Sequence, residues 1–290
     1  MSNYTSKVYT LKDTDIPLIS LSVITTVFHI FGMIVLCCLK SKLNQINILL
    51  CLAFSEMIYC LNLVIWPIKA LKILRLSLNL FCTLSNKMLM LILLGDRFLG
   101  IFLNIRYAIF VTRRKVVYLL STTWGISGLY GLIPGLLVTI NRDYYHLVYY
   151  VHSYITLALD SIFTFSAIYT YGYFYCKFKA TNRKDSNSRS ARSLGGSARN
   201  FRFRIPFLIV ATYLIFNVSS TIIFQDIQYL RKKHEGRNIE CDPCKFLTGI
   251  AYVLAVTGFL SDAILYIFMQ RNIVRFLRKR VSQVSGTSNN

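Results

Sequence analysis

Seven long apolar stretches follow one another along the chain, separated by shorter segments rich in Lys, Arg, Asn and Ser. They run from about 17 to 39, 46 to 66, 77 to 102, 115 to 139, 152 to 177, 204 to 229 and 246 to 269. Each meets the roughly 20 residues that a helix needs to cross the hydrocarbon layer of a bilayer. A span in hydrocarbon must satisfy its own backbone hydrogen bonds, and these runs are too long and too continuously apolar for barrel strands. After the seventh run, Arg271, Arg275 and Arg278 interleave with Ile273, Val274, Phe276, Leu277 and Val281, which at helical spacing makes an amphipathic segment. The pattern predicts an all-α membrane protein, a seven-transmembrane helix bundle with a short amphipathic eighth helix lying along the inner membrane surface.

Composition agrees, because 54% hydrophobic and 16% charged residues with a mean hydropathy of +0.50 exceed what a soluble core requires. The runs leave room for one domain, 17–269, flanked by an N-terminal segment 1–16 and a tail 270–290. Basic residues set the orientation: 20 of the 33 fall on the face that holds Lys40, Lys42, the 106–115 and 177–204 segments and the tail. Outside the spans that face carries only Asp185 as an acid, so it is expected to be cytosolic and the N-terminus extracellular, as in a multi-pass plasma-membrane protein. The net charge of +21 is then a topology signal and an attraction to anionic inner-leaflet lipid, not a nucleic-acid footprint. The first fifteen residues are polar and no cleavable signal peptide is expected, the first span serving as its own insertion signal. Asn3 opens an Asn-Tyr-Thr glycosylation sequon on the expected outside.

Six cysteines (Cys37, Cys38, Cys51, Cys60, Cys82 and Cys176) fall in the spans, where a small polarizable side chain packs well. Cys241 and Cys244 bracket an Asp-Pro turn in an outer loop, where an oxidising medium favours a local disulfide over free thiols or half of a zinc site. In the inner loop, Ser188, Ser190, Ser193 and Ser197 stand beside arginines. Two readings are open, kinase targets whose phosphorylation removes positive charge, or a solvated linker.

The inner end of the third run reads Asp96-Arg97-Phe98, with Tyr107 ten residues beyond the arginine. This segment resembles the Asp-Arg-Tyr motif and second inner loop of the rhodopsin-like (class A) G-protein-coupled receptors, with Phe98 for tyrosine and Asn104 for the loop proline. Trp124 stands where that family has the tryptophan of its fourth helix, and Leu52-Ala53-Phe54-Ser55-Glu56 resembles its Leu-Ala-x-x-Asp. Asp262-Ala263-Ile264-Leu265-Tyr266 is similar to its Asn/Asp-Pro-x-x-Tyr without the proline. The resemblance covers the whole chain and implies a receptor that transmits binding of an extracellular peptide, lipid or small molecule to heterotrimeric G proteins, with kinases and arrestin as further partners. It gives Asp96, Arg97, Phe98, Tyr107, Asp262 and Tyr266 to the coupling switch, in which Asp96 holds Arg97 inside the bundle until the sixth helix swings out; the other reading of Arg97 is an anchor of a helix end at the interface.

Charges within a membrane are costly and point to function. Glu56, Asn86, Lys87 and Asp262 form a candidate buried polar cluster. Class A receptors often hold sodium between the acids matching Glu56 and Asp262, and here the Lys87 ammonium is expected to substitute for it by bridging Glu56, with Asp262 as a second partner; a lysine facing a solvated crevice or snorkelling along the bundle is the other reading. Outer-half positions Asn79, Asp160 and Asp226 are the candidate ligand contacts, with loop capping or local pairing as the other reading for the two acids.

The chain also departs from that family. It lacks the outer-end cysteine of helix three, the proline of helix five and the Cys-Trp-x-Pro of helix six, which here reads Phe216-Asn217-Val218-Ser219-Ser220. These losses are similar in part to the melanocortin, lysophospholipid and cannabinoid branch, and they leave the source of a helix-six kink open. No lysine lies in the seventh run and Asn79 stands where amine receptors carry aspartate, which argues against a retinal or amine ligand. A transporter or channel using Glu56, Lys87 and Asp262 is the alternative, although no repeat is evident. Four scattered histidines give no catalytic set, so neither enzyme chemistry, a cofactor nor a metal is expected.

Overall fold

The computed structural model describes residues 15–38, 44–65, 68, 71–103, 106–141, 144–185, 208–233 and 246–267. Among them there is no strand, and seven helices are long and apolar enough to cross a membrane. We label these α1 (Asp15–Cys38), α2 (Asn44–Val64), α3 (Lys72–Leu103), α4 (Arg113–Ile140), α5 (Tyr144–Asp185), α6 (208–233) and α7 (Phe246–Ile267). A single helical turn, Tyr107–Phe110, joins α3 to α4. The proposed eighth helix, Asn3, Cys241, Cys244 and the inner-loop serines lie outside the described residues.

The helices run past their apolar stretches where polar residues can continue the same turn. α3 begins at Lys72, five residues before the apolar run, and α5 begins at Tyr144 and continues to Asp185. Thr112 starts α4 as its N-cap, its hydroxyl accepting from the Lys115 amide at 3.5 Å.

α3 sits at the centre, packed on α2, α4 and α5, while α1 packs on α2. Gly32 of α1 faces the Tyr266 side chain of α7, which closes the ring on that side. The larger apolar core joins Leu36, Leu52, Leu89, Leu93, Phe163 and Tyr266 towards the Arg97 half of the bundle. A second cluster, including Tyr59, Leu63, Tyr252 and Phe259, fills the other half. Outward-facing positions are apolar too, among them Phe31 and Ile34 of α1 and Leu129, Leu132 and Leu136 of α4. Helices apolar on every face are what a hydrocarbon solvent permits.

α4 buries only a narrow stripe, with Ser127, Gly131 and Gly135 at its heart. A Cβ on Gly131 would lie 2.6 Å from the Ser77 carbonyl oxygen and 2.9 Å from Phe81 Cβ, so α3 and α4 touch backbone to backbone. Small residues four apart are the means by which helices approach closely in lipid, where the hydrophobic effect does not drive them together. Trp124 lies one turn along the same face, its ring 5.5 Å from that of Phe54 and 5.3 Å from that of Phe81. It therefore fastens α4 to α2 and α3 together.

α6 answers the question of its missing proline. Tyr213–Val218 is wound as a π-helix, after which Ser219–Lys233 resumes as α-helix. A π segment is one of the few ways to bend or distort a helix without proline, and such segments concentrate at functional sites. It occupies the stretch Phe216-Asn217 where sequence analysis found the Cys-Trp-x-Pro motif absent.

Candidate functional site

Three layers of polar residues stack along the interior of this bundle. At the end where α3 finishes, Arg97 Nη2 donates to Asp96 Oδ2 at 2.5 Å, and the Tyr107 hydroxyl donates to Asp96 Oδ1. Asp96 is buried and Arg97 only partly so. One carboxylate thus holds both the arginine and the connecting turn. Phe98 faces α5, stacked on Phe102 at 5.7 Å and lying 5.9 Å from the ring of Tyr169. The residue that replaces tyrosine in the motif is therefore part of the α3–α5 contact.

One layer further in, Glu56 and Asp262 are electrostatic neighbours. His29 Nε2 approaches Glu56 Oε2 to 3.6 Å, and the Tyr266 hydroxyl reaches the same oxygen at 3.5 Å. Asp262 Oδ1 accepts from Thr212 Oγ1 at 2.7 Å, which ties α7 to α6. All of these residues except Thr212 are buried. Sequence reasoning missed His29 and Thr212, because a lone histidine or threonine in an apolar helix carries no spacing signal.

The third layer corrects the sequence expectation for Lys87. Its ammonium does not bridge Glu56 and Asp262. It donates to both carboxylate oxygens of Asp160, each at 2.6 Å, and to Thr221 Oγ1 at 3.1 Å. The physical reason is angular: Asn86 and Lys87, adjacent on α3, diverge by about 100° around the helix axis. Lys87 is thereby turned towards α5 and α6. Asp160 also accepts from the Tyr213 hydroxyl at 2.9 Å, so the ion pair joins α3, α5 and two turns of α6. Tyr213 is the first residue of the π segment. With one basic group and one acid matched, and Thr221 and Tyr213 filling remaining valences, this buried pair meets the conditions under which a desolvated salt bridge persists.

Above that pair lies a cavity of about 240 Å³ at the end where α2 and α4 finish and α3, α5 and α7 begin. Lys87 lies at its wall together with Asn79, Asn86, His152, Asn217 and Thr221. Edge-to-face aromatic pairs, Tyr59 with Phe259 at 5.3 Å and Phe224 with Tyr252 at 5.1 Å, form the apolar side. His152 is held by the Tyr130 hydroxyl at 2.9 Å from Nδ1. Of the three outer-half candidates, Asn79 lines the cavity, Asp160 is occupied behind it as the partner of Lys87, and Asp226 is exposed and does not line it. Tyr213 and Thr221 were invisible in the sequence, since hydroxyl residues are common in helices and nothing in their spacing relates them to Lys87.

No protein-family model matches the chain, and no curated protein matches it significantly. The chemistry of these three layers is therefore read from the residues themselves.

Proposed function

We propose that the chain is a multi-pass plasma-membrane receptor, N-terminus outside, that passes binding of an extracellular ligand to heterotrimeric G proteins in the cytosol. The observation that carries this reading is Asp96 engaged at once by Arg97 and by Tyr107. A buried carboxylate holding a cation and the following turn is a two-state device. In one state the guanidinium is kept inside, and in the other it is free to meet a protein docking at that end. The cavity lies at the opposite end of the same bundle, as a ligand site acting on such a device requires. Between them, Lys87, Asp160, Tyr213, Thr221, Thr212 and Asp262 tether α6 to α3, α5 and α7. A ligand that alters these tethers biases the position of α6, and the resemblance of the sequence to class A receptors supplies the direction of the signal.

Reconstitution of the chain with a panel of G proteins tests this directly. Nucleotide exchange above that of empty membranes, abolished by Arg97→Gln, is the expected result. Exchange that survives this substitution rejects the reading. A second reading rests on the buried Glu56 and Asp262 with His29 beside them, a set that could carry protons or cations through a transporter. Tracer flux in sealed vesicles, with no G-protein response, is the outcome that favours it.

A further inference from the structure

The inner wall of the cavity has an uneven supply of hydrogen-bond donors and acceptors. Among the described residues, Asn86 has both amide atoms without a partner and Asn217 has an unpartnered Nδ2, although the two residues are only 5% and 9% exposed. Both line the cavity. Gly258 of α7 leaves space for Asn217, since a Cβ there would stand 2.8 Å from Nδ2. A buried amide left unpaired is costly, so two on the wall of one cavity point to a hydrogen-bonding ligand. Adjacent to them the Lys87 ammonium gives one N–H to Thr221 at 3.1 Å, a longer contact than its bonds to Asp160. Lys87 is the one charged side chain among the described lining residues, and Asp160 already matches its charge.

From this geometry we propose that the cavity binds a small, uncharged ligand with an aromatic body and a carbonyl-type acceptor head, the head seated between Asn86, Asn217 and the Lys87 ammonium. The inference rests on the receptor reading and names the class of ligand for its site. Size excludes most of a peptide, because about 240 Å³ lies below the roughly 300–1,000 Å³ of pockets for drug-sized molecules. The aromatic pairs Tyr59–Phe259 and Phe224–Tyr252 supply faces and edges against which a ring packs. Charge selects the head. A carboxylate would add a second anion to an ammonium that Asp160 has already neutralised, and an amine would be set against Lys87 with no acid among the described lining residues. A carbonyl or carboxamide accepts from the free amides and can take the N–H now given to Thr221, and a carboxamide can return a donor to Asn86 Oδ1. When that N–H leaves Thr221, α6 loses one of its ties to α3, which connects occupancy of the cavity to the π segment.

The test uses the full chain in lipid nanodiscs without G protein and follows thermal unfolding with three probes of one shape. These are 3-phenylpropionamide, 3-phenylpropionate and 3-phenylpropylamine, titrated into the millimolar range. The amide is expected to raise Tm at the lowest concentration, and Asn86→Leu to remove that effect. In Asp160→Asn the ammonium loses its counter-charge, and the ranking is expected to reverse by roughly tenfold or more in favour of the acid. Should Asp160→Asn not fold, the ranking in the native chain and the Asn86→Leu result decide the matter. The inference is overturned if the amine or the acid is the best ligand of the native chain, if none of the three shifts Tm, or if Asn86→Leu leaves the amide effect intact. Because no G protein is present, failure here leaves the receptor reading to be judged by the exchange assay alone.

Discussion

The ammonium of Lys87 and the carboxylate of Asp160 meet at 2.6 Å across 73 positions of sequence, both buried. Tyr213 and Thr221 approach this pair from α6, so it anchors that helix to α3 and α5.

Removing either charge alone should therefore be severe. Lys87→Met or Asp160→Leu leaves an uncompensated buried ion and is expected to cost about 3–5 kcal/mol. The double substitution to apolar residues should cost far less than the two singles together. Denaturant unfolding of the four proteins in a double-mutant cycle measures the difference, and additivity would show that the pair does not act as a unit.

The proposed switch at Asp96 predicts the opposite balance between stability and signalling. Tyr107→Phe removes one of the two groups that hold Asp96, with only a hydroxyl lost. Ligand-free nucleotide exchange should rise severalfold while Tm changes little. Asp96→Asn should raise it further, since the Arg97 guanidinium then has no anion in its grasp. Unchanged basal exchange in both variants would mean that the contact is only an interfacial anchor.

Thr221→Val offers a direct imitation of the proposed ligand action, because it deletes the oxygen that Lys87 shares with α6 and keeps the volume of the side chain. Basal exchange is expected to increase. The stability loss should stay within about 1.5–3 kcal/mol, the range for a hydrogen bond to a charged group.

Close packing of α3 on α4 can be checked with glycines alone. Gly131→Leu would drive a side chain into the backbone of Ser77 and Phe81, and overpacking of this kind costs about 1–3 kcal/mol or more. Gly125→Leu and Gly128→Leu on the same helix meet nothing within 4 Å of a Cβ and serve as controls. Thermal unfolding of the three variants should separate the first from the other two. Equal losses would place the contact elsewhere.

Tyr266 and Asp262 bring α7 into the same account. Thr212→Val leaves one oxygen of the buried Asp262 carboxylate without its donor at 2.7 Å, at an expected cost of about 1–3 kcal/mol. It also removes one of the ties between α7 and α6, leaving that of the Ser220 hydroxyl to the Ala251 carbonyl at 2.8 Å, so the loss of stability should be accompanied by a rise in ligand-free exchange. A stability loss without that rise would make the bond a structural one.

The seven helices were legible because each requires only a local property, an apolar run of sufficient length, which needs no knowledge of its neighbours. Asp96, Arg97 and Tyr107 were legible for a related reason. They lie within eleven positions of one another, at the end of α3 and in the turn that follows it, so few chain geometries keep them apart. The helix starts were less well read, as α3 and α5 extend beyond their apolar runs into polar turns that still satisfy helical hydrogen bonding.

What the sequence determined by itself was thus the number of long apolar helices, the uneven distribution of basic residues and the local motif at the end of α3. The tertiary structure alone decided who partners whom. It gave Lys87 to Asp160 instead of Glu56, brought His29 to Glu56, and put a π segment in α6 where no proline stands. Such pairings depend on the rotation of each helix about its axis, and a turn of about 100° between adjacent residues sends neighbouring side chains to different partners. Hydrophobicity fixes which segments enter a bundle of this kind, but rotation and close packing at positions such as Gly131 and Gly258 fix which side chains face inwards and what they meet.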